Sequence, residues 1–365
     1  MQTPRAQDAV RVEERLERGG AAVELLHAPA LLWRAWAAVR SALYERGVLP
    51  SVRVDAPVLS VGNLTAGGSG KTPLVAWLAR RFDTAGRRVG LLSRGYRAAA
   101  GETMNDEARL LAQLAPHALQ AQDRDRVRGA LALIARGADV IVLDDGFQHR
   151  RLARDLDWVL VDATRPWGLP GRDASNAPLL PRGLLRERPS ALRRASAVIL
   201  TRVDQAPSSS LVALRSELAA LAPGVPIACA THRPVGVKTL DGAQLGLEVL
   251  RGARIDCVSG LGSPQAFERT LEGLGATLCE RRRLPDHHHF SASDFAGLGS
   301  GGRPVLTSAK DAAKLAGLAL EREPWVLEVE FEFVSGLEPL LAQLESLAPS
   351  RAERERAALH EGLHG

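Results

Sequence analysis

The apolar positions of this chain follow two rhythms. Between residues 21 and 47, Leu32, Trp36, Val39 and Leu43 recur at i, i+4, i+7 and i+11, which predicts one face of an amphipathic helix. Arg34, Arg40 and Arg46 flank that stripe, and Gly47 and Pro50 end it. Further on the rhythm becomes short, unbroken apolar runs: VLSVG (58–62), RRVGLLS (87–93), DVIVLDD (139–145), LDWVLVDA (156–163) and SAVILTRVD (196–204). Runs without alternation are expected of parallel strands covered on both faces by helices. Helical patterns separate them, from about Thr72 to Phe82, over 106–115, over 123–136 and in SSSLVALRSELAALAPG. Strand and helix alternate, so the expected class is α/β, a mostly parallel sheet flanked by helices.

The alternation pauses near 230–250 and then resumes. RIDCVSGLG (254–262) reads as a strand, 263–274 as a helix, PVLTSAKD (304–311) as a strand running into a helix, and WVLEVEFEF (325–333) as a half-exposed edge strand. The expected organisation is a tail and amphipathic helix over 1–50, a core over 51–235, a smaller α/β domain over 236–349 and a charged tail over 350–365. Residues 1–20 read as mobile. Residues 164–190, rich in Pro, Gly and Arg, form a connection long enough to predict a functional loop.

Charge narrows the partners. A net charge of +5 suits an acidic ligand or an anionic membrane surface. Nucleic acid is disfavoured, because aromatics are only 4% and neither zinc-finger spacing nor an RNP-like aromatic run is present. Cys229, Cys257 and Cys279 are far apart and lack paired spacing, which argues against a disulfide framework or zinc site and for a reducing compartment. The N-terminus has no apolar signal core, and no apolar run approaches the ~20 residues that span a bilayer. The expected location is the cytosolic side.

The chemistry begins at NLTAGGSGKTP, Asn63 to Pro73. A strand, a glycine loop ending in Gly70-Lys71-Thr72 and a helix are the context of a P-loop. Amides of Thr65, Gly67, Gly68, Ser69 and Gly70 would converge on phosphate oxygens, helped by the helix N-terminus. Lys71 would meet the β- and γ-phosphates, and the Thr72 hydroxyl Mg²⁺. The pattern departs from G-x-x-x-x-G-K-[ST] at its first position, where Thr65 replaces glycine. Asp144 and Asp145, at the tip of an apolar run, are the matching candidates for Mg²⁺, since a double Asp there is costly without a cation.

Five stretches in order, NLTAGGSGKTP, SRGY (93–96), DDGFQHRRLARDL (144–156), LLPRGLLRE (179–187) and LPDHHHFS (284–291), resemble the tetraacyldisaccharide 4′-kinase family of lipid A biosynthesis over about residues 30–330. That family also carries a small hydroxyl residue at the position of Thr65. The resemblance implies a P-loop kinase at the cytoplasmic face of the inner membrane, transferring the ATP γ-phosphate to the 4′-hydroxyl of a tetraacylated glucosamine disaccharide 1-phosphate. It implies that Lys71, Asp106 and His287 are catalytic, the last two as base and assisting imidazole. It also places Gln148, His149 and Arg186 near the acceptor. This chain departs from the family pattern at Arg182, Leu184 and Ala309.

Several alternatives stand beside these readings. Asp106 alone would read as a helix cap, and Asp286 to His289 as a solvated loop or a zinc site. Arg150, Arg151, Arg154, Arg182, Arg186 and Arg188 suit either a solvated basic face or the acceptor's 1-phosphate. The 21–47 helix could lie on a membrane or pack on the sheet. Thr201-Arg202-Val203-Asp204 resembles the [NT]-K-x-D guanine motif, which keeps a GTPase or metallochaperone-like switch as a rival, along with a non-catalytic nucleotide-binding module.

Overall fold

The computed structural model describes residues 15–95, 105–349 and Glu353. The first 14 residues, Tyr96 of the SRGY stretch and the rest of the 350–365 tail lie outside the described residues.

The unbroken apolar runs form the centre of a sheet. β1 (Val58–Asn63), β4 (Val140–Asp144), β5 (Leu156–Asp162) and β6 (Ala197–Thr201) are buried along their whole lengths. β2 (Val89–Ser93) and β3 (Leu119–Gln122) extend the sheet on one side, giving the parallel order β3-β2-β4-β1-β5-β6-β7, where β7 is Ile227–Lys238. A second parallel set comprises β9 (Arg254–Ser259), β10 (Thr277–Arg283), β11 (Val305–Ser308) and β12 (Trp325–Ser335). The two sets join into one sheet where β12 runs antiparallel to β7, and the two-residue β8 (Gln244–Leu245) pairs with the end of β7.

Helices cover both faces. α1 (His27–Glu45) follows a single helical turn, Ala21–Glu24. α2 (Lys71–Thr84), α3 (Asp106–Leu114), α4 (Arg126–Ala135) and α5 (Ser208–Leu221) belong to the first strand set. α6 (Pro264–Gly273), the short α7 (Ala309–Ala312) and α8 (Glu338–Glu345) follow. Leu74, Val75, Leu78 and Phe82 of α2 share one core with Trp158 and Ile199 of the sheet. Phe331 and α8's Leu340 and Leu344 enter the same core. The chain therefore returns to the first strand set after building the second, and the expected boundary near 230–250 falls partly on β7, a strand of both sets.

WVLEVEFEF is an edge for only part of its length. Val326 and Leu327 lie between β11 and β7, whereas the residues after them pair with β7 alone. The acidic positions read from the sequence belong to this one-sided stretch. The β7–β12 pairing shifts register twice, between Glu328 and Val329 and between Phe333 and Ser335. Two-stranded ribbons twist more than wide sheets, and such irregularities add twist. In a flat sheet the C-terminal strand ends of antiparallel sets would lie on opposite edges. Here they meet, with a Cβ placed on Gly262 only 2.4 Å from the amide nitrogen of Gly68.

β1 is held equally closely to the turn after β4. A Cβ on Gly62 would sit 2.5 Å from Phe147 Cβ and 2.9 Å from Phe147 N. Gly62→Ala is expected to destabilise the fold by about 1–3 kcal/mol through overpacking. Chemical denaturation measures this, and an alanine chain as stable as its parent would show that the turn can move away freely.

Candidate active site

The strand ends enclose a cleft of about 1200 Å³, lined by residues of both strand sets and by Trp33, Trp36 and Arg40 of α1. Its floor is the glycine loop between β1 and α2. Gly67 and Gly70 have φ of 112° and 79°, values that side chains disfavour. α2 begins without a side-chain cap, so its first-turn amides remain available to an anion.

Thr65 is explained by its partner. It forms an antiparallel bridge with Leu185, and the flanking bonds are Ala66 N to Leu184 O at 2.7 Å and Arg186 N to Leu64 O at 2.7 Å. The start of the loop is thus extended backbone paired like a strand with the 164–190 segment. No tight turn occurs there, so no glycine is required.

Lys71 Nζ donates to Asn63 Oδ1 at 3.1 Å and lies 3.3 Å from Asp145 Oδ1. Arg186 Nη1 reaches both Asp145 oxygens at 2.8 and 2.7 Å. Burial pushes the Asp145 carboxyl up, but Lys71 and Arg186 outweigh it and hold the group well below the usual range. Arg186 therefore sits against Asp145 at the nucleotide-loop end of the cleft. Gln148 Nε2 donates to Asn63 O at 3.0 Å, which places Gln148 beside the same loop; His149 also lines the cleft.

Asp144 differs from its neighbour. It is 5% exposed, and its Oδ1 has no hydrogen-bond partner among the described residues. Burial, then the nearby charge of Glu107, push its carboxyl up to about 7. A buried oxygen without a partner, at the end of the strand beside the P-loop strand, is suited to a divalent cation. Thr72, in the first turn of α2, would complete the donor set. The bare glycines, the uncapped helix start and Lys71 likewise fit a triphosphate.

His287 lines the same cleft, and Asp106 lies next to it. Asn105, not Asp106, caps α3, accepting from Ala108 N at 3.0 Å, so Asp106 occupies the first turn. Its Oδ2 lies 3.7 Å from His287 Nδ1, within charge-pairing range but longer than a hydrogen bond, and 3.4 Å from Lys314 Nζ. Burial opposes ionisation of Asp106, but His287 and Lys314 outweigh it and lower its pKa. The three adjacent histidines diverge. His287 faces Asp106, while His288 Nε2 meets Asp294 Oδ2 at 2.9 Å.

Most of the arginines expected to serve the acceptor are committed elsewhere. Arg154 pairs with Asp157 at 2.9 Å, Arg151 with Asp125 at 3.0 Å, and Arg182 with Glu24 at 3.2 Å. Arg150 donates to Ser41 O at 3.2 Å and thereby ties down α1. Arg202 of the guanine-like motif is buried against Asp162, and Asp204, at the surface, accepts from the Thr231 hydroxyl, so the two do not form a base-reading pair.

The sequence reading missed several residues of the site. Arg126 is 2% exposed, lines the cleft and lies close enough to Asp144 and Asp145 to feel their charge. Lys310 bridges Asp286 at 2.8 Å and Glu107 at 3.5 Å, tying the two strand sets together. Its signal was the Lys-Asp pair of PVLTSAKD; Arg126 had none beyond a charge among helix residues.

Within the 21–47 segment α1 buries none of its residues, whereas Val23 of the preceding turn packs with Leu169 and Leu184. α1 hangs at the cleft mouth by polar hooks, Trp33 Nε1 to Arg186 O and Arg40 Nη1 to Gln148 O, both at 3.0 Å. Leu32, Trp36 and Val39 are 73%, 54% and 59% exposed. Among the described residues, no helix is long and apolar enough to cross a membrane.

Comparison with known proteins places the chain in a family. A family profile described as tetraacyldisaccharide-1-P 4′-kinase matches residues 22–347. The tetraacyldisaccharide 4′-kinase of Anaeromyxobacter dehalogenans (strain 2CP-C) is 43% identical, with 90% of this chain and 92% of the relative covered. That of Syntrophus aciditrophicus (strain SB) is 39% identical, with coverage of 80% and 84%. A crystal structure of LpxK from Aquifex aeolicus in complex with ATP is similar with a TM-score of 0.69 at 28% identity, covering 89% of this chain and 99% of that one. The glycine loop, the acidic strand end and the facing Asp–His pair thus occur in a chain matched along most of its length, and it belongs to the tetraacyldisaccharide 4′-kinase family.

Proposed function

We propose that this chain transfers the γ-phosphoryl group of ATP to the 4′-hydroxyl of a tetraacyldisaccharide 1-phosphate. The observation that carries this reading is the meeting of two equipments at one cleft. Lys71 and the glycine loop line the cleft together with His287, and Asp106 stands 3.7 Å behind that imidazole. A nucleotide switch or a passive binding module has no use for the second.

Phosphoryl transfer depends on positioning and charge neutralisation. The loop amides and Lys71 would grip the β- and γ-phosphates. Thr72, Asp144 and Asp145 are the residues that would hold Mg²⁺, which when bound neutralises charge on the phosphate oxygens. Asp106 would accept the proton of the sugar hydroxyl. Lys314 and His287 keep it a carboxylate, and His287 would orient it or take up the proton's charge.

The exposed Leu32–Trp36–Val39 stripe supports peripheral contact with an anionic membrane surface, on the cytoplasmic face where the nucleotide is found. Arg34 and Arg46, beside the stripe, suit headgroup phosphates. A lipid acceptor would then reach the cleft mouth, which α1 borders, without its acyl chains crossing water.

Three outcomes are expected. Asp106→Ala should lower kcat by about 10²–10⁴-fold while leaving Mg·ATP affinity unchanged; undiminished turnover in a labelled-phosphate assay would remove Asp106 from the chemistry.

Holding Asp144 for a cation should cost stability. Its folded pKa of about 7 exceeds the ordinary 3.8, so its contribution is fully present below pH 3.8 and is lost as pH rises through 7. In EDTA, Asp144→Asn should therefore gain on the parent between pH 5 and 8, by on the order of 4 kcal/mol at most. Equal stability of the two chains at both pH values, read by chemical denaturation, would contradict this.

A Leu32→Glu/Trp36→Glu chain should stay folded, because neither residue is buried, yet stop co-sedimenting with vesicles rich in anionic lipid. Sedimentation equal to the parent's would place the membrane contact elsewhere.

A further inference from the structure

Thr201, Arg202 and His232 take no part in the mechanism above, yet all three converge on the underside of the glycine loop. Arg202 Nη2 donates to Gly68 O at 3.0 Å, and Thr201 Oγ1 to Ser69 O at 3.2 Å. His232 Nε2 lies 3.4 Å from Gly70 O. A carbonyl can only accept, so His232 must carry its proton on Nε2 for this contact. Burial and the neighbouring Arg202 lower its pKa to about 4, which leaves the ring neutral at physiological pH. Three consecutive loop carbonyls are thus each met by a side chain from the ends of β6 or from β7.

The brace is anchored behind the loop. Arg202 is 9% exposed and adopts φ 57°. Its other amine contacts Asp162 at the end of β5, and Asp162 Oδ1 is held in turn by Thr164 N at 3.0 Å and Thr164 Oγ1 at 2.7 Å. His232 fills the space a side chain at position 70 would need, since a Cβ on Gly70 would sit 2.3 Å from its Cε1.

A trans peptide points its N–H opposite to its C=O. Fixing the carbonyls of residues 68, 69 and 70 therefore fixes the amides of Ser69, Gly70 and Lys71 in the opposite sense. We propose that Thr201, Arg202 and His232 are positioning residues that aim these three amides at the nucleotide's phosphates. The stretch that resembles a base-reading motif serves here to hold the phosphate loop. A loop rich in glycine would otherwise lose much of its freedom on binding, and affinity would fall accordingly. This inference rests on the kinase reading, and the experiment separates the two.

Mg·ATP binding is measured by calorimetric titration, alongside KM for ATP and for the glycolipid acceptor. Arg202→Ala, which removes a charged donor, is expected to weaken Mg·ATP binding by about tenfold or more, and the isosteric Thr201→Val by about threefold. Arg202→Lys should recover most of the affinity. The acceptor KM should stay at the parent value throughout, which a general loss of folded structure would not allow. Arg202→Ala leaves Asp162 without its partner; should that chain not fold, Thr201→Val decides. Folded variants that bind Mg·ATP as tightly as a binding-competent parent would overturn the brace and leave the kinase reading intact. A parent that ignores Mg·ATP would overturn the kinase reading and the purpose of the brace with it.

Discussion

The antiparallel pairing of β7 with β12 is the constraint on which the site depends. Each strand set alone is an ordinary parallel α/β layer with its loops at the C-terminal ends of the strands. Joined antiparallel and flat, the two sets would present those ends to opposite sides. The long, twice-shifted ribbon curls the sheet until Gly262 abuts Gly68 and His287 faces Asp106. A glycine is needed at 262, where a Cβ would sit 2.4 Å from the Gly68 amide nitrogen, while at 68 a Cβ would be a tight 3.3 Å from Gly262 Cα.

Bringing the strand ends together also concentrates charge. Carboxylates at 106, 107, 144, 145 and 286 share a confined space with Lys71, Arg126, Arg186, Lys310 and Lys314. Most of these groups neutralise one another. Lys310 is held above its usual range, with burial opposed and outweighed by Asp286 and Glu107, and Asp286 falls below its own because Lys310 outweighs burial. Asp144 is the exception, with burial uncompensated on one oxygen. That imbalance is what a cation bound beside Asp144 would relieve.

The parts of the fold that were legible in the sequence are those where burial is symmetrical. VLSVG, DVIVLDD and SAVILT are covered on both faces and therefore read as unbroken apolar runs. β3 (LQAQ), β7 (IACATHRPVGVK) and β10 (TLCERRR) were not anticipated. β3 and β10 end the sheet and keep polar side chains on an open face. β7 contains Pro234, tolerated because it falls at a register shift, where a ladder amide is not required. Within the site, Lys71, Asp144 and Asp145 could be read from local spacing. Asp106 and His287 lie far apart in sequence, and only the family motifs linked them. The bracing roles of Thr201, Arg202 and His232 depend on which way loop carbonyls face, and residue identity alone does not carry that information.

The pairing of Thr65 with Leu185 ties together two segments that a linear reading treats separately. Leu64 and Ala66 are bonded to Arg186 and Leu184, and the carbonyl of Arg186 also receives the indole of Trp33. Any displacement of the 184–186 backbone is consequently felt by the phosphate loop and by the outer helix at once. The phosphate loop and the outer helix thus share a single anchor, the 184–186 backbone, although Trp33 is more than twenty residues from the loop along the chain.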